Sequence, residues 1–273
     1  MKINTSNNVC IFVCFTQKPD VNDIINKINR VFFLLKFDVY VIANTFNNEI
    51  FIIKNKSEQI TIRKTELNDE MEFSGYFYAM EKLYELEVNR NSEKDTIFFI
   101  NDTIFKHGQF RKIERISLFE WMLRFRLIDK KEKKAVGFWH KSDLLNHTEI
   151  TEGYFNSKFF IFSKITLNEA TLIFALNQIM VTINEENNYI NNVFKSEQYS
   201  IFLKKWLNNK NGWYKSSELT KETRNFFLKK ARSIIHEHLM SKRIIDLNIK
   251  SECIVKKSRC AKLISFLTKF HYQ

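Results

Sequence analysis

The chain has 273 residues, of which 44% are hydrophobic and 15% aromatic, with 27 Phe but only one Pro and five Gly. That content supports a substantial buried core and excludes a disordered chain, and the scarcity of Pro and Gly excludes a collagen, a flexible linker or a turn-dense β-barrel. The formal charge of +12 sits at one end: residues 201–273 hold 17 Lys and Arg against 5 Asp and Glu, leaving 26 of each sign in the first 200.

The start, Met1 to Asn8, is polar and lacks the basic region of a signal peptide. Val9 to Phe15 is a short apolar run that predicts a first buried strand. Its Cys10 and Cys14 read as buried thiols of a reducing cytosol, because neither they nor Cys253 and Cys260 form a Cys-x-x-Cys pair or a cluster with His. After a break at Thr16–Asp20, apolar residues from Val21 to Leu35 recur at helical spacing, with Asp20 or Asn22 as cap. Asp38 to Ala43 predicts a second strand ending at Asn44, so the first three elements form a βαβ unit with parallel strands. Glu49–Ile53 and Gln59–Ile62 are shorter strand candidates.

A polar loop, Asn68 to Gly75, then opens a helix with Tyr76, Ala79, Met80, Leu83 and Leu86 on its apolar stripe. Next comes Thr96-Ile97-Phe98-Phe99-Ile100, all β-branched or aromatic and uncharged. This is the pattern of a strand buried on both faces, as in a sheet with helices on each side. It stops at Asn101-Asp102-Thr103. Ligands of open α/β sheets bind at the C-terminal ends of strands, and a carboxylate there can hold a hard cation that in turn holds phosphate oxygens. The same three residue types also favour turns and helix caps.

Beyond a basic and aromatic loop with Lys106 and His107, a helix is expected over Ser117–Ile128 and a strand over Ala135–Trp139. The polar loop His140–Glu152 carries Asp143, His147, Glu149 and Glu152. A buried strand around Phe159–Phe162 and a helix over Asn168–Ile183 follow. From about Glu185 the pattern turns helical and basic, around Ser200–Leu207, Ser217–Met240 and Cys253–Phe270. No apolar run reaches the ~18 residues of a membrane span.

The order of these elements carries a resemblance. A strand, a helix and a strand ending in Asn44 lead to a Glu72-Phe73-Ser74-Gly75 helix start. An apolar strand ending in Asn101-Asp102 and the later segment Asn156-Ser157-Lys158-Phe159-Phe160-Ile161-Phe162-Ser163 follow. Over roughly residues 9–185 this resembles a GT-A-type glycosyltransferase of the bacterial polysaccharide and rhamnan-synthesis kind. The resemblance implies an α/β, GT-A-like (Rossmann-like) fold, with a mostly parallel sheet flanked by helices in residues 1–185. Residues 186–273 would be a basic α-helical extension.

It further implies a nucleoside-diphosphate sugar as donor and a saccharide or lipid-linked acceptor. Asp102 would face the diphosphate, directly or through Mg²⁺ or Mn²⁺, although the usual Asp-x-Asp is absent and Asn101 and Thr103 flank a single Asp. Lys106 or His107 would offer an alternative countercharge. Asn44, Glu72, Ser74 and Asn101 would lie against the nucleotide-sugar, or serve as turn, cap and loop-orienting residues. Transfer to an alcohol gains from a carboxylate that takes the hydroxyl proton, and Asp143, Glu149 and Glu152 lie on a loop where such a base can sit.

His236 and His238, two apart on a presumed helix, point to different faces and are not a metal pair. The basic tail has three readings: a solvated helical face, a surface for anionic lipid headgroups, or a nucleic-acid site. The apolar residues after Lys256-Lys257-Ser258-Arg259 favour the membrane over nucleic acid. The expected location is the cytoplasm, free or peripheral on the inner face of the membrane.

Overall fold

The computed structural model describes residues 8–15, 19–32, 37–44, 49–54, 58–63, 71–86, 93–105, 112–128, 132–141, 153–176, 182–183, 190–191, 196–207 and 220–259. In chain order the elements are β1 (Asn8–Cys14), α1 (Val21–Val31), β2 (Asp38–Asn44), β3 (Glu49–Lys54), β4 (Glu58–Arg63), α2 (Glu72–Leu86), β5 (Glu93–Asn101) and a 3-10 helix, η1 (Asp102–Ile104). They continue with α3 (Lys112–Ile128), β6 (Lys134–Lys141), β7 (Gly153–Thr166), α4 (Leu167–Phe174), β8 (Thr182–Ile183), β9 (Ile190–Asn191), α5 (Glu197–Leu207), α6 (Arg224–Asp246), β10 (Lys250–Cys253) and α7 (Ile254–Lys257).

The described strands form an eight-stranded sheet in the order β10-β6-β7-β5-β1-β2-β3-β4, with β8 and β9 paired apart from it. β1 pairs in parallel with β2 and β5, and β10 with β6, whereas β7 is antiparallel to both its neighbours and β3 to both of its own. Six of the eight strands therefore share one direction, and β3 and β7 oppose it. The protein is α/β with a mixed, mostly co-directional sheet.

Strand alternation divides two cores. Val9, Ile11 and Val13 face one side with Ile97, Phe99 and residues of α2, α4 and α6. Cys10, Phe12 and Cys14 face the other with Phe98, Ile100 and residues of α1 and α3. Both faces of β1 and of the end of β5 are buried, which is why these strands read as unbroken apolar runs rather than alternating ones. Asp20 caps α1, accepting from Asp23 N at 3.0 Å. α2 lies close over the sheet because residue 75 is Gly: a Cβ there would stand 2.8 and 2.9 Å from the two methyls of Val13.

Two expectations need correction. The helix expected to Ile183 ends at Phe174, opened by a capping box between Thr166 and Glu169. Arg243 of α6 donates to Ile173 O at 2.9 Å and Ala175 O at 2.7 Å, satisfying carbonyls that the helix end leaves open.

The C-terminal part is also more than a helical appendage. α6 stops in a Schellman turn, with Asn248 at φ 54, Asn248 N bonded to Ile245 O and Ile249 N to Ile244 O. The chain then enters the main sheet as β10. Met240, Ile244 and Ile249 share one apolar cluster with Phe99 and Phe160, so residues on both sides of position 185 contribute to this core. Among the described residues no helix is long and apolar enough to cross a membrane.

Candidate functional site

The site grows from an irregularity in β7. Trp139 of β6 pairs with Phe155 of β7, yet Gly137 pairs with Phe160, so two steps on β6 span five on β7. The bulge brings Phe155 and Phe160 into one core although they stand five positions, an odd number, apart, and it re-aims the side chains between them. Gly137 permits it: a Cβ there would meet Phe155 Cδ1 at 3.0 Å and Phe160 Cβ at 3.1 Å. Asn156, Ser157 and Lys158 occupy the bulge.

On its other side β7 loses its partner. The last β5–β7 pair is Ile100 with Phe159, because β5 ends at Asn101 and turns into η1. Side chains take over the backbone groups left open. Ser241 Oγ accepts from Phe155 N at 3.0 Å, and Glu237 accepts from Ser157 N. Asn101 Nδ2 donates to Ser157 O at 3.3 Å and Tyr76 OH donates to the same oxygen at 3.0 Å. Four residues of helix rise about 6 Å and two strand residues about 6.6 Å, so Glu237 and Ser241 on α6 match Ser157 and Phe155.

Around this seam lies a cavity of about 290 Å³, lined by polar residues that include Glu72, Asn156, Ser157, Lys230 and Glu237, and by Phe15, Met71, Trp206 and Phe226 at its apolar walls. Trp206 and Phe226 are 38% and 42% exposed. Met71 stands at φ 51, a left-handed conformation that costs a side chain such as Met free energy.

Ser157 Oγ donates to Glu72 Oε1 at 2.8 Å, so one serine joins two carboxyl groups, Glu72 through its hydroxyl and Glu237 through its N–H. Burial pushes the Glu237 carboxyl up to about 8; the charge of Glu72 adds to the rise, and the Ser157 N–H and Lys230 oppose it. Burial lowers the Lys230 ammonium, against the pull of both carboxylates. Near neutrality the cavity thus holds a carboxyl that retains its proton, a second carboxyl and a buried lysine. Opposed acid and base roles arise from such pairs.

Lys158 also lines the cavity. Its ammonium lies 2.9 and 3.1 Å from the two oxygens of the buried Glu114 and 5.0 Å from the Phe138 ring centroid.

The residues expected from sequence divide as follows. Glu72 and Asn101 line the cavity. Asn101 also caps η1, its Oδ1 accepting from Thr103 N at 3.2 Å. Ser74 is buried on α2. Asn44 ends β2, paired with Ile50. Asp102 is 6% exposed, its Oδ2 accepts from Phe15 N at 3.4 Å, and the cavity is lined by its two neighbours rather than by itself. Lys106, Asp143, Glu149 and Glu152 lie outside the described residues, as do His107 and His147.

A divalent cation at Asp102 calls for several oxygen donors. Among the described residues no three His, Cys, Asp or Glu come together as a metal group. No step below passes through a metal.

No family model, curated protein or solved structure matches this chain.

The sequence reading missed Glu237, Lys230 and Ser157 as a group. The available signal was the spacing on α6: Lys230, Ser233, Glu237 and Ser241 recur at three and four residues and form one polar stripe on an otherwise buried helix face. The net charge of the tail hid it. Described cations of that region engage internal partners, Arg243 at the end of α4, Lys242 with Asp246 at 2.7 Å and Lys250 with Glu132 at 2.9 Å. His236 and His238 are both buried, His236 stacked on Phe73 and His238 Nδ1 2.6 Å from Tyr199 OH.

Proposed function

We propose that the protein is a nucleotide-sugar-dependent glycosyltransferase of GT-A-like architecture. It would move a sugar from a nucleoside diphosphate to a saccharide or lipid-linked acceptor in bacterial surface-glycan synthesis. The observation that carries this reading is the cavity at the carboxyl end of β5, where Glu72 and Glu237 meet at Ser157 and Lys230 lines the same space. Ligands of α/β sheets bind at that end. At about 290 Å³ the cavity is at the small end of the ~300–1,000 Å³ of ligand pockets, which suits the reacting end of the donor rather than the whole nucleotide.

In this reading Glu72 takes the proton of the acceptor hydroxyl as its oxygen bonds to the anomeric carbon. The bond from that carbon to the diphosphate breaks, and the diphosphate leaves with the bonding pair. Glu237, still protonated, donates a hydrogen bond to a departing phosphate oxygen, and Lys230 balances its charge. Trp206 and Phe226 offer apolar faces to a sugar ring. Asp102 holds the end of β1 against η1 and so shapes the floor on which the donor rests.

The test is release of nucleoside diphosphate from a panel of nucleotide-sugars, with and without Mn²⁺. At least one donor should be turned over, and Glu72→Gln should lower kcat by roughly 10²–10⁴ while the protein stays folded. A donor that raises Tm without turnover would identify a binding domain without catalysis. Failure of every donor both to bind and to react would refute the reading.

A further inference from the structure

A second and larger cavity, of about 450 Å³, opens on the opposite side of η1, between α1 and α3. Leu118 and Met122 of α3 and Ile104 of η1, all buried, form its floor. Lys27, Arg30 and Arg115 stand around it, and none of the described residues that line it is Asp or Glu. Helical spacing produces this arrangement: Lys27 and Arg30 are three apart on α1, and Arg115, Leu118 and Met122 follow at three and seven on α3. Two amphipathic helices thus turn cations to the rim and apolar groups to the floor. Lys27 also holds Asp23 at 2.6 Å on the exposed side of α1.

We propose that this groove binds a single-chain amphiphile with a phosphate head. An apolar floor without hydrogen-bonding partners favours a hydrocarbon chain over a sugar or a peptide backbone. The cationic rim favours an anionic head, and the guanidinium forks of Arg30 and Arg115 suit a phosphate. A floor of buried side chains set between two helices favours a monomeric ligand over a bilayer surface. The proposal does not rest on the sugar-transfer reading, since the two cavities share no described lining residue.

The experiment is calorimetric titration of the intact protein with dodecyl phosphate below its micellar concentration. Dodecyl maltoside, AMP and phosphatidylglycerol vesicles are run beside it. Saturable binding of one dodecyl phosphate per chain is expected, at least about tenfold tighter than dodecyl maltoside or AMP. Arg30→Glu, an exposed change, should weaken it by about tenfold or more. Val31→Trp, which fills the groove, should abolish it. Nucleotide-sugar turnover, if present, should be unchanged in Arg30→Glu.

Absence of saturable binding overturns the proposal. So does equal affinity for the neutral detergent or for AMP, binding to vesicles alone, or binding that neither substitution alters.

Discussion

The carboxyl group of Glu237 accepts the backbone N–H of Ser157, 80 residues earlier in the chain. That strand position lies beyond the last residue of β7 that β5 pairs. A buried N–H without a partner is costly, and α6 supplies what β5 no longer can. The bond that docks the helix also draws a carboxyl group out of water and into the cavity.

Stability should depend on pH with a maximum near neutrality. Burial lowers His236 and His238 to about 3 from an ordinary 6.5, so between those values the unfolded chain binds more protons and stability rises with pH. Glu237 acts oppositely: it holds its proton to about 8 against an ordinary 4.5, so stability falls as pH rises through that window. Two histidines outweigh one glutamate up to about 6.5, and above it only the fall remains. Urea unfolding across pH should show this. Glu237→Gln should remove the fall between about 6.5 and 8; an unchanged fall would show that Glu237 ionises normally.

Ser241→Ala should strand Phe155 N at the open edge of β7. The expected loss is about 1–3 kcal/mol, read from denaturant midpoints. A loss of a few tenths would mean that water replaces the hydroxyl.

The Lys158–Glu114 pair is buried on both sides. Removing one partner leaves the other charged and desolvated, at a cost of about 3–5 kcal/mol. Glu114→Leu and Lys158→Met should each lower Tm sharply, and the double variant should recover much of the loss. An additive double variant would mean that the two charges do not sense one another.

Asn248 holds the left-handed position that ends α6. Asn248→Gly should be nearly neutral, whereas Asn248→Val should cost roughly 1–2 kcal/mol. Equal stability of the two variants by thermal unfolding would argue against the Schellman turn.

If the cavity takes a sugar donor, Trp206→Ala should raise KM and leave kcat and Tm nearly unchanged, because the indole is partly exposed at the mouth. A fall in kcat with KM unmoved would place Trp206 in a transition-state role instead.

The amino-acid order alone determined the central strands and where β5 stops, though not that it starts back at Glu93. Val9 to Phe15 and Thr96 to Ile100 carry β-branched and aromatic side chains without charge, and a strand with both faces buried has few other compositions open to it. The polar break at Asn101-Asp102-Thr103 was equally legible, since Asn caps η1 through its own side chain. Strand direction and order, the entry of β10 into the sheet, and the meeting of Glu72, Ser157, Lys230 and Glu237 were decided only in three dimensions. These depend on where β5 stops relative to β7 and on a bulge opposite Gly137, both set by pairing between distant segments. Local periodicity records how a residue faces its own element; it holds no record of which unpaired N–H, from a strand 80 residues away, that residue will be called on to satisfy.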